Sequence, residues 1–121
     1  MTNTTQFNFR VEVDITTTPA TYSYIDSQGD SCDGSVTVTE HNTQITYTLS
    51  THNLIFLDPS ITGDTGGDLT FLISSNKQTI TITDSDADNE NACLVLVVAE
   101  AANPNVPYPS PDPSIRNRPP T

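Results

Sequence analysis

The chain has no tryptophan, one methionine and only four basic residues against 15 acidic ones, a formal net charge of −11. A surface this acidic repels phosphate backbones and anionic lipids, so we expect neither nucleic acid nor a membrane as partner. Without tryptophan, the best aromatic platform for stacking on a sugar is missing. Cations, basic proteins and neutral ligands such as glycans stay open as partners. An acidic surface also keeps a protein soluble without serving any partner.

Long apolar segments are missing as well. No run of 18 apolar residues occurs, and the longest run, residues 92–99, has the length of a strand. Residues 1–6 carry neither the basic nor the apolar part of a secretory leader. We therefore expect a cytoplasmic protein, unless a leader has been trimmed away.

Motifs of catalytic sites are missing too. The chain has no nucleophile elbow, phosphate-binding loop, dinucleotide fingerprint or paired-histidine metal motif. His41 and His52, the only histidines, fall in a predicted turn and a short connection. With 15 acidic residues, some pair spaced for glycoside hydrolysis is nearly inevitable and carries little information. We expect surface histidines and no enzyme.

Alternating apolar and polar residues are abundant. Phe7, Phe9, Val11 and Val13 alternate with polar residues, which predicts a strand over 7–15. The other predicted strands are 21–25, 36–38, 45–49, 53–57, 69–73, 79–83 and 93–98. The hydrophobic fraction is only 34% because many strand positions are among the 20 threonines. Since such a strand needs apolar groups on one face only, this composition does not predict disorder.

These seven or eight short strands predict an all-β fold, an antiparallel two-sheet β-sandwich of immunoglobulin-like type. A small barrel is the alternative. The runs 36–38 and 45–49 flank a polar turn, which predicts a hairpin. We expect residues 1–102 to form the sandwich domain. Its Thr-rich strand edges are expected sites of homo-oligomer formation.

Residues 103–121 form a proline-rich C-terminal extension, with seven of the nine prolines. Proline fixes φ and lacks a backbone donor, so we expect an extended segment that cannot enter the interior of a sheet. A disordered linker is the usual alternative. However, Tyr108 and Ile115 are apolar anchors, and Arg116 and Arg118 are half of the basic residues. We expect the extension to lie along the acidic sandwich, with these anchors docked and the arginines near carboxylates.

Carboxylates alternate along residues 84–90, between two predicted strands. Like charges this close repel, so the segment needs solvent, hydrogen bonds or a cation, and oxygen ligands suit Ca²⁺. An EF-hand is excluded because Asn89 stands where that loop requires glycine and no helices flank it. A solvated acidic turn is the alternative to a calcium site completed by a second loop. The predicted ligands are Asp84, Asp86, Asp88, Glu90, Asp26 and Asp30, with Asp33, Asp64 and Asp68 as further candidates.

Cys32 and Cys93 are 61 residues apart, a separation similar to that of the intersheet disulfide of immunoglobulin domains. The companions of that disulfide are missing, since tryptophan is absent and Asn91 stands where a tyrosine corner would place tyrosine. Without a secretory leader we expect reduced thiols. Tyr22 and Tyr24 share one strand face, either in the core or as an exposed aromatic strip, and we favour the core.

Residues Asp112, Pro113, Ile115 and Asn117 give the chain an Asp-Pro-x-Ile-x-Asn ending. This ending resembles that of the small bacterial DP-EP family, although no Glu-Pro dipeptide occurs here. The resemblance implies a bacterial β-protein with no established activity. Our leading expectation is a non-catalytic binding or structural module, stabilised by Ca²⁺ through residues 84–90. A carbohydrate-binding or adhesive surface domain is the alternative.

Overall fold

The computed structural model describes residues 6–17, 20–32, 34–38, 43–50, 53–63, 69–84, 90–110 and 114–117. The secondary-structure elements within these ranges are all β-strands. In chain order they are β1 (Gln6–Asp14), β2 (Thr21–Ile25), β3 (Ser31–Cys32), β4 (Val36–Val38), β5 (Thr43–Leu49), β6 (Leu54–Thr62), β7 (Leu69–Ile73), β8 (Thr79–Asp84), β9 (Glu90–Glu100), β10 (Asn103–Pro109) and β11 (Ser114–Asn117). Among the described residues, no helix has the length and apolar character needed to cross a bilayer.

The first sheet has six strands in the order β3-β2-β1-β5-β8-β7. Its strands pair antiparallel except for β1 and β5, which run parallel with Gln6 opposite Gln44 and Val11 opposite Leu49. Apolar residues alternate with polar ones along β1, β5 and β8, so one face of this sheet is apolar and the other is rich in threonine.

The second sheet is built around β9. One edge of β9 pairs with β6 from Cys93 to Glu100. The other edge pairs with β11 over Glu90–Cys93 and with β10 at Val97, Val98 and Glu100. The short strand β4 lies outside β11 and runs parallel to it. The chain after residue 102 therefore runs back along β9 as two strands of this sheet.

The apolar faces of the two sheets form one shared core. Its largest fully buried side chains are Tyr47, Phe56, Ile45, Leu54, Ile80, Ile82, Leu94 and Leu96, which come from both sheets. Burying an aliphatic or aromatic side chain of this size stabilises the fold by about 1.5–3 kcal/mol. The predicted all-β sandwich is confirmed, with 11 described strands where seven or eight were expected.

The predicted hairpin of 36–38 with 45–49 is wrong. β4 belongs to the second sheet and β5 to the first, so the two strands do not pair with each other. Alternation predicts which face of a strand is buried but not which strand lies beside it. Two parallel pairs, β1 with β5 and β4 with β11, also distinguish the sandwich from an entirely antiparallel one.

The C-terminal extension forms two strands of the second sheet, whereas its proline content predicted a segment that stays out of the sheet interior. Its prolines 104, 107 and 109 lie on β10, whose pairing with β9 is irregular between Asn103 and Tyr108. Residues 114–117 lack proline and form β11 between β9 and β4, so the expectation that no part enters a sheet interior is wrong. Tyr108 packs against the core. The side chains of Ile115 and Arg116, and all of Arg118, lie outside the described residues.

Candidate functional site

Asp84, the first carboxylate of the predicted calcium loop, points into the sandwich. It ends β8 and continues the inward row of Ile80 and Ile82, with none of its surface exposed. Its strand neighbours are Thr43, also fully buried, and Leu69. Asp86 and Asp88 lie outside the described residues, and Glu90 is described by its backbone as the first residue of β9.

Asp26 and Asp30 lie at the turn between β2 and β3. Oδ1 of Asp26 accepts the backbone N–H groups of Gln28, at 2.9 Å, and of Asp30, at 3.0 Å. The backbone N–H of Asp26 also donates to the carbonyl of Asp30 at 2.9 Å. This carboxylate oxygen is therefore held by its own turn, as in other Asx turns.

Asp26 and Asp84, the described carboxylates nearest the two predicted loops, lie at the ends of β2 and β8, which are not neighbouring strands. Strands β1 and β5 lie between β2 and β8, which at about 4.8 Å per strand separates β2 from β8 by roughly 14 Å. Ligands of one Ca²⁺ lie about 2.3–2.6 Å from it. Within the described ranges, no three histidine, cysteine, aspartate or glutamate residues are grouped to hold a metal ion. Asp33, Asp64 and Asp68 lie outside those ranges, and the calcium site stays a prediction.

The two cysteines lie on different sheets. Cys32 is exposed on β3, Cys93 is partly buried on β9, and both are free thiols. His41 and His52 lie outside the described residues, so the expectation of surface histidines stays a prediction.

The tyrosines of β2 belong to an aromatic group inside the sandwich. Tyr24 is buried and meets Tyr47 edge to face at 6.0 Å, and Tyr47 stacks on Phe9 at 5.2 Å. Tyr22 is half-buried, with its ring 6.3 Å from that of Tyr24. The prediction that these tyrosines pack in the core, and not as an exposed strip, is confirmed.

Tyr22 also connects the two sheets. Its hydroxyl donates to the backbone carbonyl of Tyr108 on β10 and lies 3.5 Å from the carbonyl of Leu96 on β9. Burial, followed by the neighbouring Tyr24, raises the pKa of the Tyr22 hydroxyl. The hydroxyl therefore stays protonated and able to donate across the physiological range.

Within the described part of the chain, strand β7 is the outermost strand at one side of the first sheet. Within the described residues its one neighbour is β8. Leu69 is buried at one end of the strand, but Phe71 is 40% exposed and Leu72 is 74% exposed. Apolar side chains on both faces of a strand are typical of a central strand, yet this strand lies at the edge.

The backbone of β7 offers hydrogen-bonding groups on its open side. Just beyond the strand, the N–H of Ser74 donates to the carbonyl of Thr79 at 2.9 Å. Bonded and non-bonded pairs alternate along an antiparallel ladder, so Thr70 and Leu72 direct their backbone groups toward β8. The N–H and C=O groups of Phe71 and Ile73 then point away from β8.

The other described sheet edges carry features that discourage pairing. β3 has two residues and β4 has three. β6 contains Asp58 and Pro59 at a register shift, and β10 contains three prolines. Short strands, charges, prolines and bulges are the usual protections of an edge. β7 has five residues with neither charge nor proline, so it lacks them all.

A groove of about 590 Å³ lies beside the end of β7. It is lined by Phe56, Leu57, Asp58, Ile73, Ser74, Lys77 and Val97. Three hydrogen bonds hold the turn at its rim. The N–H of Phe56 donates to the carbonyl of Lys77 at 2.8 Å. Oδ1 of Asn76 accepts hydrogen bonds from the Ser74 hydroxyl and from the backbone N–H of Gln78. The groove therefore joins a fixed turn to the open strand edge.

Sequence patterns found the strand at 69–73 but not its edge position, because strand order depends on pairing between distant segments. The local pattern points away from an edge position. Phe71, Leu72 and Ile73 are consecutive apolar residues, which place apolar groups on both faces of a short strand.

The chain is similar to a known protein family. A model of the DP-EP family matches residues 5–119, nearly the whole chain. No curated protein matches the chain.

Proposed function

The chain belongs to the DP-EP family, and from that premise we propose that it is a non-catalytic binding module that adds a partner's strand to the open edge of β7. The family assigns no reaction or ligand, so the proposal depends on the surface of the molecule. The observation that carries it is the combination, on one strand, of an open backbone edge with exposed Phe71 and Leu72.

Strand addition matches both parts of this surface. An added strand would gain main-chain hydrogen bonds from Phe71 and Ile73, while every second side chain would enter a neighbouring pocket. The groove lined by Ile73 and Phe56 lies beside the end of β7 and is the candidate for such a pocket. Lys77 and Asp58 at the same groove offer one charge of each sign to the partner.

The other expected functions have less support from the described residues. A calcium site at residues 84–90 stays a proposal, which the melting temperature of the protein in CaCl₂ and in EDTA would test. A glycan-binding surface typically stacks the sugar on tryptophan or tyrosine; the chain has no tryptophan, and Tyr24 and Tyr47 are buried.

The test is a titration with an acetylated, amidated peptide of alternating threonine and valine flanked by lysines. Its lysines complement the acidic chain, and its centre has the strand propensity that pairing needs. Amide NMR signals of Phe71 and Ile73 should shift and exchange more slowly with solvent, while those of Thr70 and Leu72 change less. The exposed edge residue Val106 on β10 is the control. Equal shifts at Val106, or no shift at β7 at millimolar peptide, would contradict strand addition.

A further inference from the structure

We infer that the groove of about 590 Å³ beside the end of β7 binds a dipeptide of two apolar residues with both termini free. Three parts of the groove contact this ligand: an apolar floor, the ammonium of Lys77 and the carboxylate of Asp58. The inference is independent of strand addition, because it depends on the residues that line the groove and not on the backbone edge of β7.

The floor of the groove is apolar and comes from both sheets. Ile73 ends β7 in the first sheet, whereas Phe56 on β6 and Val97 on β9 belong to the second. Phe56 is 1% exposed, while Ile73 and Val97 are half-buried. The volume lies within the range of about 300–1,000 Å³ that sites for small ligands occupy. Apolar side chains that enter the groove leave water, which stabilises the complex in proportion to the apolar area they bury.

Two residues of opposite charge line the same groove. Lys77, the one lysine of the chain, lies in the turn between β7 and β8, and Asp58 lies on β6. Both residues are exposed, and neither forms an ion pair with any residue that the structure describes. Each can therefore bind a charged group of a ligand.

These charges discriminate among classes of ligand. A simple anion meets Asp58 in the groove and the net charge of −11 around it. A simple cation meets Lys77, and an uncharged apolar ligand covers both charged groups without offering either a partner. A zwitterion has no net charge, and it offers a carboxylate to Lys77 and an ammonium to Asp58. Its apolar side chains then contact the floor, so every part of the groove has a partner.

A dipeptide suits the groove better than a single amino acid. A free amino acid has its ammonium and carboxylate on one carbon, whereas Lys77 and Asp58 are too far apart to pair with each other. A second residue adds about 3.3–3.6 Å of extended chain between the two termini. It also supplies a second side chain, one for the part of the floor that each sheet provides.

The turn that carries Lys77 is held in place by the fold. The N–H of Lys77 donates to the carbonyl of Ser74 at 2.9 Å, and its carbonyl accepts the N–H of Phe56 at 2.8 Å. The carbonyl of Gln78 accepts the N–H of Leu49 at 2.8 Å. These bonds hold Lys77 at a φ of 59°, in the left-handed region that glycine favours. Because the turn is fixed beforehand, a ligand that binds there loses little affinity to ordering the protein.

The test ligand is leucyl-valine, titrated into the protein at about pH 6.5, where both of its termini are charged. Amide NMR signals of Phe56, Ile73 and Val97 should shift, with a Kd of about 1 mM. Acetylating the amino terminus or amidating the carboxyl terminus should each weaken binding about three- to fivefold, as expected for the loss of one exposed ion pair. Free leucine should bind more weakly than leucyl-valine, because it covers less of the floor.

Substitutions assign each terminus to its partner. Lys77→Gln should bind the free and the amidated dipeptide equally, and Asp58→Asn should bind the free and the acetylated dipeptide equally. The matched controls are Arg10→Gln and Glu12→Gln at exposed positions of β1, which change net charge in the same way and should keep both preferences. Lys77→Gly removes the charge and also relieves the left-handed backbone. This variant should melt no lower than the unmodified protein and still lose the preference for the free carboxylate.

The site is wrong if the free, acetylated and amidated dipeptides bind equally well, or if the two groove variants keep the preferences they should lose. Free leucine that binds as tightly as leucyl-valine would overturn the dipeptide as ligand. So would the absence of any shift in the groove at about 20 mM dipeptide.

Strand addition and the dipeptide site can fail separately, because a dipeptide is too short to add a strand to β7. If the threonine-valine peptide binds β7 but leucyl-valine does not bind, strand addition stands and the groove site is wrong. The reverse result keeps the groove site and contradicts strand addition. If neither ligand binds, both proposals fail.

Discussion

At the scale of single residues, a glycine lets the chain pass close to an aromatic ring before β4. Gly34 has φ of +78°, and a Cβ at this position would lie 2.9 Å from Cδ1 of the buried Tyr24 ring. The carbonyl oxygen of Gly34 accepts a hydrogen bond from the Tyr47 hydroxyl, with 2.8 Å between the two oxygens. Gly34 therefore allows two core tyrosines to pack against the backbone.

Gly34→Ala should destabilise the fold more than Gly29→Ala. Gly29 also has positive φ, of +84°, but open space surrounds it. Alanine at Gly29 should cost about 1–2 kcal/mol from the left-handed backbone alone. At Gly34, overlap with the Tyr24 ring should add about 1–3 kcal/mol. Urea unfolding of both variants measures the difference in their free energies of unfolding. An equal decrease for the two variants would mean that the Tyr24 ring moves aside without loss of stability.

Tyr22→Phe should lower stability by about 0.5–1.5 kcal/mol at neutral pH, through loss of the bond to the Tyr108 carbonyl. The pKa of the Tyr22 hydroxyl is raised in the folded state above its ordinary value of 10.0. Its contribution is therefore complete below pH 10 and declines as the pH rises further, because the unfolded chain loses the proton first. Unfolding free energies from pH 8 to pH 11 should fall more steeply for the unmodified chain than for the variant. Parallel curves would contradict a role for this hydroxyl.

At the scale of elements, Ser110 fastens the C-terminal extension to the middle of β9. Its backbone N–H donates to the carbonyl of Leu96 at 2.7 Å, and its Oγ accepts the N–H of Leu96 at 2.9 Å. Ser110 is buried, so both groups of Leu96 depend on it in place of water. These two hydrogen bonds lie between β10 and β11 along the chain. They bond the extension to β9 at Leu96, a residue that pairs with neither β10 nor β11.

Ser110→Ala should cost about 1–3 kcal/mol, because the N–H of Leu96 stays buried without its acceptor. Thermal unfolding measures the loss. The control is Ser60→Ala at an exposed position on β6, which should change stability by less than about 0.5 kcal/mol. A Ser110 variant as stable as the control would mean that water replaces the hydroxyl.

Removing residues 114–121 should destabilise the sandwich far more than any of these substitutions. β11 is the described neighbour through which β4 joins the second sheet, and β4 buries Val36 and Val38. Exposing two valines costs about 3–6 kcal/mol, a large part of the roughly 5–15 kcal/mol that stabilises a domain. The melting temperature should fall by many degrees. An unchanged melting temperature would mean that β4 keeps its place without β11.

Periodicity in the sequence predicted the strands well and their pairing poorly. β1 follows the expected alternation closely, because a two-residue period directly determines which side chains are buried. The partners of β4 did not follow from its sequence, since its three residues pair with a strand far along the chain. β11 was missed because the prolines around it outweighed the proline-free stretch at 114–117.

At the scale of the whole molecule, sequence identified acidic loops but could not place them. Asp84 and Asp26 are similar in the sequence, each beside a strand end. The fold buries the first and uses the second to hold a turn. The open edge at β7 depends on strand order across the entire sheet, so no local pattern could locate it.

Calcium binding at residues 84–90 has a direct whole-molecule test. If Asp86 and Asp88 bind the ion, millimolar CaCl₂ should raise the melting temperature by several degrees over EDTA. An ion at about 100 times its dissociation constant adds roughly 2.7 kcal/mol. Asp86→Asn with Asp88→Asn should abolish the rise, and equimolar MgCl₂ is the control for charge screening. Equal melting temperatures in CaCl₂ and EDTA would leave a solvated acidic turn.

The distance along the chain between β4 and β11 has a consequence for biosynthesis. The ribosome makes Val38 about 75 residues before Ser114, a delay of roughly 4–15 s at ~5–20 residues per second. Throughout that interval β4 lacks β11, its neighbour within the described residues, although β1, β2 and β5 can already pair with one another. The second sheet therefore closes only after translation has passed residue 117, and the nascent chain keeps β4 accessible to chaperones until then.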